Sequence, residues 1–409
     1  MIQLSNYLNI KIFINYLVLS FPITFVIGSA LVNLYLILFL IYFILNFKKI
    51  YINSNQNIFK ITILFWIYLI LNTIFNNYKL QETYNIENIV KSIFFIRILI
   101  LPILFNFLIK EYDLQKSNFF KIIIIISLII SLDIIFQFFV GYNILGFESY
   151  NKGMRNSSFF NDELISGSYL YHFYLFLFYF FFKDFKNEYK KIFYFFAPLI
   201  TIIGITLSGE RMALINSCFA ILLLVLFSKN KKILIAASIL FISIFLLLVN
   251  SGKIFDRYVI QTKNQTLISN NSSNKFFDKL QNGIHYKLIS TSFELSKPNI
   301  LFGNGFKSYR YNCKSKNKEN SLCSTHPHNL YAELIHDAGL IGTGIFVLYL
   351  IFLVKSSFKY MNNSNLLFFC IFLTLINPFQ ITGSIFSTWK SSIMFLIFSF
   401  VYKKNDKFK

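Results

Sequence analysis

Apolar runs long enough to cross a bilayer recur along this chain, and they limit its fold more than any other feature. They fall near 11–28, 30–46, 58–75, 89–109, 121–140, 166–182, 191–207, 212–228, 232–249, 328–354, 364–379 and 385–402. A spanning helix needs roughly 20 mostly apolar residues. Hydrocarbon offers no water to an open backbone, so such runs fold as helices unless a closed barrel forms. A barrel needs short strands of alternating polarity, and these runs do not alternate. Composition agrees: 56% of the 409 residues are hydrophobic, 53 are Phe, and 14% are charged, against about 25% in an ordinary soluble domain. A soluble enzyme and a disordered chain are excluded. The expected fold is an all-α polytopic membrane protein of about 12 transmembrane helices with one large external loop. Residues 1–249 carry helices one to nine, 250–327 the loop, and 328–409 helices ten to twelve with a tail. The first run has no small-residue cleavage site, so it reads as an anchor.

The formal charge is +21, from 39 basic and 18 acidic residues. In a soluble protein this suggests nucleic acid. Here the cations sit between apolar runs, so no nucleic-acid partner is expected and the topology rule applies. Lys48 and Lys49 follow the second run, and Lys110, Lys116 and Lys121 the fourth. Lys183, Lys186, Lys190 and Lys191 follow the sixth, and Lys229, Lys231 and Lys232 the eighth. Lys355 and Lys359 follow the tenth, and Lys403, Lys404, Lys407 and Lys409 the twelfth. Every even-numbered exit is basic, which puts both termini inside and 76–88, 141–165, 208–211, 250–327 and 380–384 outside. In the long loop, 263–274 reads as irregular. Residues 283–297 read as an amphipathic helix with Ile284, Leu288 and Leu295 on one stripe, and 298–305 as a turn.

Of four cysteines, Cys218 and Cys370 lie in apolar runs and read as packing residues. Cys313 and Cys323 share the external loop, and an oxidising compartment allows them to pair.

Only five of the cations are Arg: Arg97, Arg155, Arg211, Arg257 and Arg310. Arg presents a rigid fork of donors suited to phosphate. Four of the five map to the external side. Arg211 stands in the turn Ser208-Gly209-Glu210-Arg211, at a helix start where an anion is favoured; the bland alternative is an interface anchor. Arg155 opens a polar stretch before the sixth run. Arg97 and Asp133 are ionisable groups at membrane depth, where such groups are paired or functional.

Residues 325–342 hold His326, His328 and His336, three of the five histidines. Pro327 suits a first helical turn. Asn329, Glu333, His336 and Asp337 then share one helical face. A zinc site of His326, His328 and Glu333 is one alternative, although the HExxH and HxxEH spacings are absent. A purely structural helix entry is another. General acid–base chemistry at the membrane boundary is the third.

At this point the sequence resembles the O-antigen ligase and O-antigen polymerase superfamily. His328-Asn329, nine residues, then Gly339-Leu340-Ile341-Gly342 resembles its HN-x9-GxxG pattern. Ser208-Gly209-Glu210-Arg211 resembles its (T/S)GxR turn, and Phe302-Gly303-Asn304-Gly305 its FGxG turn. Arg155 with Phe159, Phe160 and Asn161 resembles its Arg-x-x-G-x-F-x-Asn segment, with Ser158 in place of Gly. The resemblance implies a membrane glycosyltransferase of the bacterial inner membrane, with both termini cytoplasmic and the large loop and active site periplasmic. It implies transfer of a glycan from undecaprenyl diphosphate to a hydroxyl acceptor, either lipid A–core (ligase) or another repeat unit (polymerase), without a metal or other cofactor. Donor, acceptor and membrane lipids are the implied partners. Catalysis is carried over to Arg211, His328 and Glu333, and substrate binding to Arg211, Arg155, His285, Arg310, His326 and Asn329. The family's second diphosphate arginine falls here at His285, so His285, Arg310 and Arg257 are all open as its replacement. A polysaccharide transporter or flippase is the rival reading, favoured by Arg97 and Asp133 and disfavoured by the lack of an internal repeat.

Overall fold

The computed structural model describes residues 2–79, 86–112, 116–182, 188–228, 231–263, 283–315, 323–358 and 363–402. Lys183, Lys186, Lys229, Lys359, Lys403, Lys404, Lys407 and Lys409, counted among the basic exits, lie outside these residues, as does nearly all of 263–274. Each of the twelve apolar runs is helical. By length and apolarity five suffice to cross a membrane: Asn9–Ile27, Gln56–Asn76, Ile86–Glu111, Asn118–Val140 and Leu330–Phe358. Two bent pairs raise the number to seven: Ser29–Leu45 with Phe47–Asn53 at 84°, and Leu234–Asn250 with Gly252–Lys263 at 100°. Four shorter apolar helices follow the seventh, eighth, eleventh and twelfth runs. The sixth run is α-helical over Ser166–Phe173 and then tightens to a 3-10 helix over Tyr174–Phe182. Large apolar side chains stay uncovered, such as Leu45 at 78% and Phe139 at 77% exposure. Repeated on many helices, such surface suits lipid rather than water.

The external loop opens with helical structure: Gly252–Phe255 is helical and Asp256–Ile260 forms a π-helical turn. The expected amphipathic helix forms as Ile284–Ser296 and buries Leu288 and Leu295. Ile284 is exposed instead.

The chain divides into two compact units. One comprises Met1–Tyr35, Phe105–Gln261 and Tyr360–Leu375. Its helices Lys116–Val140 and Glu188–Leu207 pack together, and a Cβ on Gly204 would stand 2.9 Å from Ser131 Cα. Small residues let membrane helices approach this closely. Phe120 centres an aromatic group, 4.4 Å from Tyr179 and 5.5 Å from Phe176 between ring centroids. At the end of Lys116–Val140, Asp133 is buried. Its carboxylate accepts hydrogen bonds from Ser158 Oγ (2.6 Å), Ile144 N (3.0 Å) and Asn143 Nδ2 (3.4 Å). Gln137 adds a bond from Ser158 N at 2.8 Å. The Asp133 carboxyl group therefore anchors the 141–165 loop.

The second unit comprises Leu36–Leu104, Thr262–Lys359 and Ile376–Lys409. Its spine is the helix Leu330–Phe358, which breaks at Gly339 (φ 68°, ψ −177°). A break frees backbone groups that must find partners. Here the 300–305 segment supplies them: Leu340 N donates to Ile300 O (2.9 Å) and Ile341 N to Leu301 O (3.1 Å). In return Asn304 N donates to His336 O (2.9 Å) and Gly305 N to Asp337 O (2.8 Å). Tyr68 and Asn72, on helix Gln56–Lys79, donate to Ala338 O (2.9 Å) and Asp337 O (2.8 Å). The contact requires glycine on both sides: a Cβ on Gly303 would meet Gly339 N at 2.3 Å, and one on Gly339 would meet Gly303 N at 2.4 Å.

Gly339→Ala is therefore expected to destabilise the fold by on the order of 3 kcal/mol or more. Gly344→Ala, on the same helix with nothing within 4 Å of its Cβ position, should be neutral. Thermal unfolding of the two variants in one detergent checks the contrast.

Candidate functional site

The predicted site residues fall into two clusters, one in each unit. In the first unit the turn Ser208–Arg211 joins helices Glu188–Leu207 and Arg211–Phe227. Gly209 has φ +70°, and a Cβ there would stand 2.0 Å from Met154 O. That close approach seats the turn against the Arg155 segment. Asn156 N donates to Ser208 O (3.2 Å) and Asn156 Nδ2 to Leu207 O (2.6 Å). Tyr150 and Arg155 pair backbone to backbone, so Arg155 projects from a short hairpin. Arg257, buried, donates from Nε to Gly209 O and from Nη1 to Gln261 Oε1, both at 2.8 Å. Arg155, Arg211 and Arg257 are thereby close enough for their charges to act on one another.

Arg155 keeps a buried Nε without a partner, and its one hydrogen bond runs from Nη2 to Leu164 O at 3.5 Å. Burial lowers its pKa from the usual arginine value. Glu210 is the acid beside this cluster. It accepts from Gly167 N (2.6 Å), Ser168 Oγ (2.8 Å) and Ser168 N (3.1 Å), capping helix Ser166–Phe173. Burial nevertheless raises its pKa to about 7. Near neutral pH one partly protonated acid faces three guanidinium groups, and the cluster stays cationic.

Ser158, which replaces the glycine of the resembled pattern, sits at φ 52°. A left-handed backbone costs an L-residue about 1–2 kcal/mol, and the Ser158 Oγ bond to Asp133 offsets part of that cost.

The second unit holds the histidines. His326 and His328 have ring centroids 4.1 Å apart, and His285 lies 5.8 Å from His328. His285 thus joins the histidines. Burial and the neighbouring His328 and Arg310 lower His326 to about 4, while burial and His285 lower His328. Both rings are neutral at pH 7. Asn329 serves as a cap: Oδ1 accepts from Tyr331 N and Ala332 N at 3.0 Å, and Nδ2 donates to Pro378 O at 2.7 Å. Glu333 accepts from Ser384 Oγ (2.5 Å) and Ile385 N (2.8 Å), so both its oxygens are engaged away from the rings. His336 and Asp337 pair at 2.7 Å, and Asp337 Oδ1 also accepts from Ser308 Oγ (2.9 Å). Arg310 lies within charge range of His326. Cys313 and Cys323 form a disulfide, which ties the helix bearing Arg310 to the irregular segment leading into His326.

Two residues gain weight from the structure. Arg257 reads in sequence as one loop arginine among several, and its identity as Arg was its only signal. Lys307 is one of many lysines; its place directly after the FGxG turn was its only mark.

Residues 196–347 match a family model described as O-antigen ligase. The match spans both the Arg211 turn and the histidine segment, and it supports the resemblance: residues 196–347 are similar to the domain of the O-antigen ligase and polymerase superfamily. No match was found among curated proteins. The matched family is one of membrane ligases and polymerases, and the apolar helices of this chain are in keeping with a membrane protein.

Ser158→Ala is expected to destabilise the protein by about 1–2 kcal/mol, since it removes a hydrogen bond to a buried carboxylate and keeps the left-handed strain. Ser158→Gly relieves the strain and should lie closer to the parent. Unfolding midpoints of the pair check this order.

Proposed function

We propose that this protein is an O-antigen ligase-like glycosyltransferase, moving a glycan from undecaprenyl diphosphate to a hydroxyl of lipid A–core at the periplasmic face of the inner membrane. The observation that carries it is the gathering of Arg155, Arg211 and Arg257, three of the chain's five arginines, on one turn beside a single buried acid. An array of three forks suits a diphosphate. Arg257 leaves Nη2 available and takes the place of the second diphosphate arginine. The basic even-numbered exits and the Cys313–Cys323 disulfide support a periplasmic site, because disulfides persist in oxidising compartments.

In the reaction the acceptor oxygen attacks the anomeric carbon. The bond from that carbon to the diphosphate oxygen breaks, and its electron pair leaves with the diphosphate. The arginines stabilise the growing negative charge without needing to reorganise. The neutral ring of His328 takes the hydroxyl proton, and His326 and His285 border it. Glu333 acts through the 384–385 segment that it holds.

Arg211→Ala and Arg257→Ala should each cut transfer by roughly 10²–10³-fold at normal abundance, with Arg→Lys keeping part of it. A folded, fully active Arg211→Ala protein sinks the proposal. In a strain lacking the gene, loss of all O-chain from lipid A–core with long chains left on the carrier means ligase, and core bearing one repeat means polymerase.

The histidines set the acid limb. His328 and His326 have folded pKa values below the usual 6.5, so the folded protein binds fewer protons than the unfolded chain below that pH. Stability contributed by these neutral rings is present above pH 6.5 and declines as pH falls toward about 4. Transfer should likewise hold to below pH 6.5 and then fall. A pH profile with its acid midpoint above 6.5 contradicts this.

A further inference from the structure

We propose that Lys307 and Arg310 form an anion subsite beside the histidines and take a phosphate or carboxylate carried by the acceptor glycan. The inference rests on the acceptor role given above to the histidine cluster and names what that acceptor must carry.

Lys307 is held in place from both sides. Before it, Phe306 N donates to Thr73 Oγ1 at 3.0 Å. After it, Ser308 Oγ and Tyr309 N donate to Asp337 Oδ1 at 2.9 and 3.2 Å. Between these anchors Lys307 adopts φ 58°, a strained backbone for any residue with a side chain. Such strain persists only where the surroundings fix it, and it gathers at functional sites.

The ammonium that this backbone presents is half-buried. Among the described residues it makes no hydrogen bond or ion pair, and it lies over the Phe306 ring, 5.8 Å from Nζ to centroid. Arg310 keeps a buried Nε without a partner and lies within charge range of both Lys307 and His326.

Glu87 lies within charge range of both cations, and Glu333 and Asp337 within range of Lys307, but each of these acids is bonded to other groups. Lys91 is ion-paired with Glu87. Glu333 is bonded to Ser384 and Ile385, and Asp337 to Ser308, Tyr309 and His336. Withdrawing a cation from water without a partner is costly. An anion bridging Lys307 and Arg310 removes that cost, whereas a neutral sugar does not. Placed beside His326, the anion would fix which acceptor hydroxyl faces the proton-accepting ring.

The full chain in phosphatidylcholine nanodiscs provides the test, with labelled rough lipopolysaccharide as the probe. A second batch of the probe is dephosphorylated and carboxyl-amidated. The parent protein should bind the intact probe at least ten-fold tighter than the neutralised one. Lys307→Gln and Arg310→Gln should each remove most of that difference and leave the neutralised probe unaffected; Lys307→Arg should retain it. No difference between probes on the parent, or equal losses on both probes in the variants, overturns the proposal. A repeat in phosphatidylglycerol nanodiscs separates the sources of anion: if that lipid abolishes the preference, the subsite belongs to a headgroup and the acceptor proposal fails. Transfer by Arg211→Ala, measured separately, tests the glycosyltransferase reading without bearing on this binding comparison.

Discussion

Gly303 and Gly339 touch backbone to backbone, with no room for a side chain on either. Much of the second unit depends on that contact. It allows the 300–305 segment to receive the four backbone groups that the break at Gly339 leaves open. The same alignment brings Asp337 against Ser308 and Tyr309, which fixes the residues on either side of Lys307. The FGxG and GxxG motifs, far apart in sequence, are therefore two halves of one joint. Their glycines set the positions of the neighbouring side chains.

The first unit solves the same problem with a turn. Gly209 lies against Met154 O, and its own carbonyl receives Arg257 Nε. Asn156 closes the carbonyls of Leu207 and Ser208, and Glu210 caps the next helix. Each bond satisfies a backbone group where apolar surroundings leave unmet groups costly. Each also brings an arginine-bearing segment to the same turn. Backbone satisfaction and the placing of charge are one arrangement here.

How much of this was legible follows from the same physics. The apolar runs were legible because burial in lipid demands them, and every one is helical. The break in the tenth was not, since Gly339 inside an apolar run gives no local sign of a partner loop. The tightening of the sixth run after Phe173 and the helical turns past Asn250 depend on packing that no periodicity encodes. Among site residues, Arg155 and Arg211 stood out because Arg is rare in this chain. Asn329 carried the right chemistry in the right motif, yet its amide is committed to capping. Its type is as suited to a helix start as to a ligand, and sequence cannot separate the two uses. Lys307 had no contrast at all against a lysine-rich background.

Burial acts on both clusters and leaves them in opposite charge states. It lowers Arg155 from the usual arginine value, which lies so far above neutrality that a guanidinium keeps its charge. It lowers His326 from 6.5 to about 4, across neutrality, so the imidazole loses its proton. Burial also raises Glu210 from 4.5 to about 7, which weakens the one acid that would otherwise neutralise the arginines. The transfer proposed above calls for both states: a fixed positive charge for a leaving group that collects electrons, and an unprotonated base for a nucleophile that sheds its proton. Exchanging the residue types would defeat both. A buried histidine at the turn would be neutral and hold no diphosphate, and an arginine at position 328 would be charged and take no proton. The pairing of residue type with degree of burial thus favours group transfer over a passage for charge, for which one exposed sign of potential would suffice.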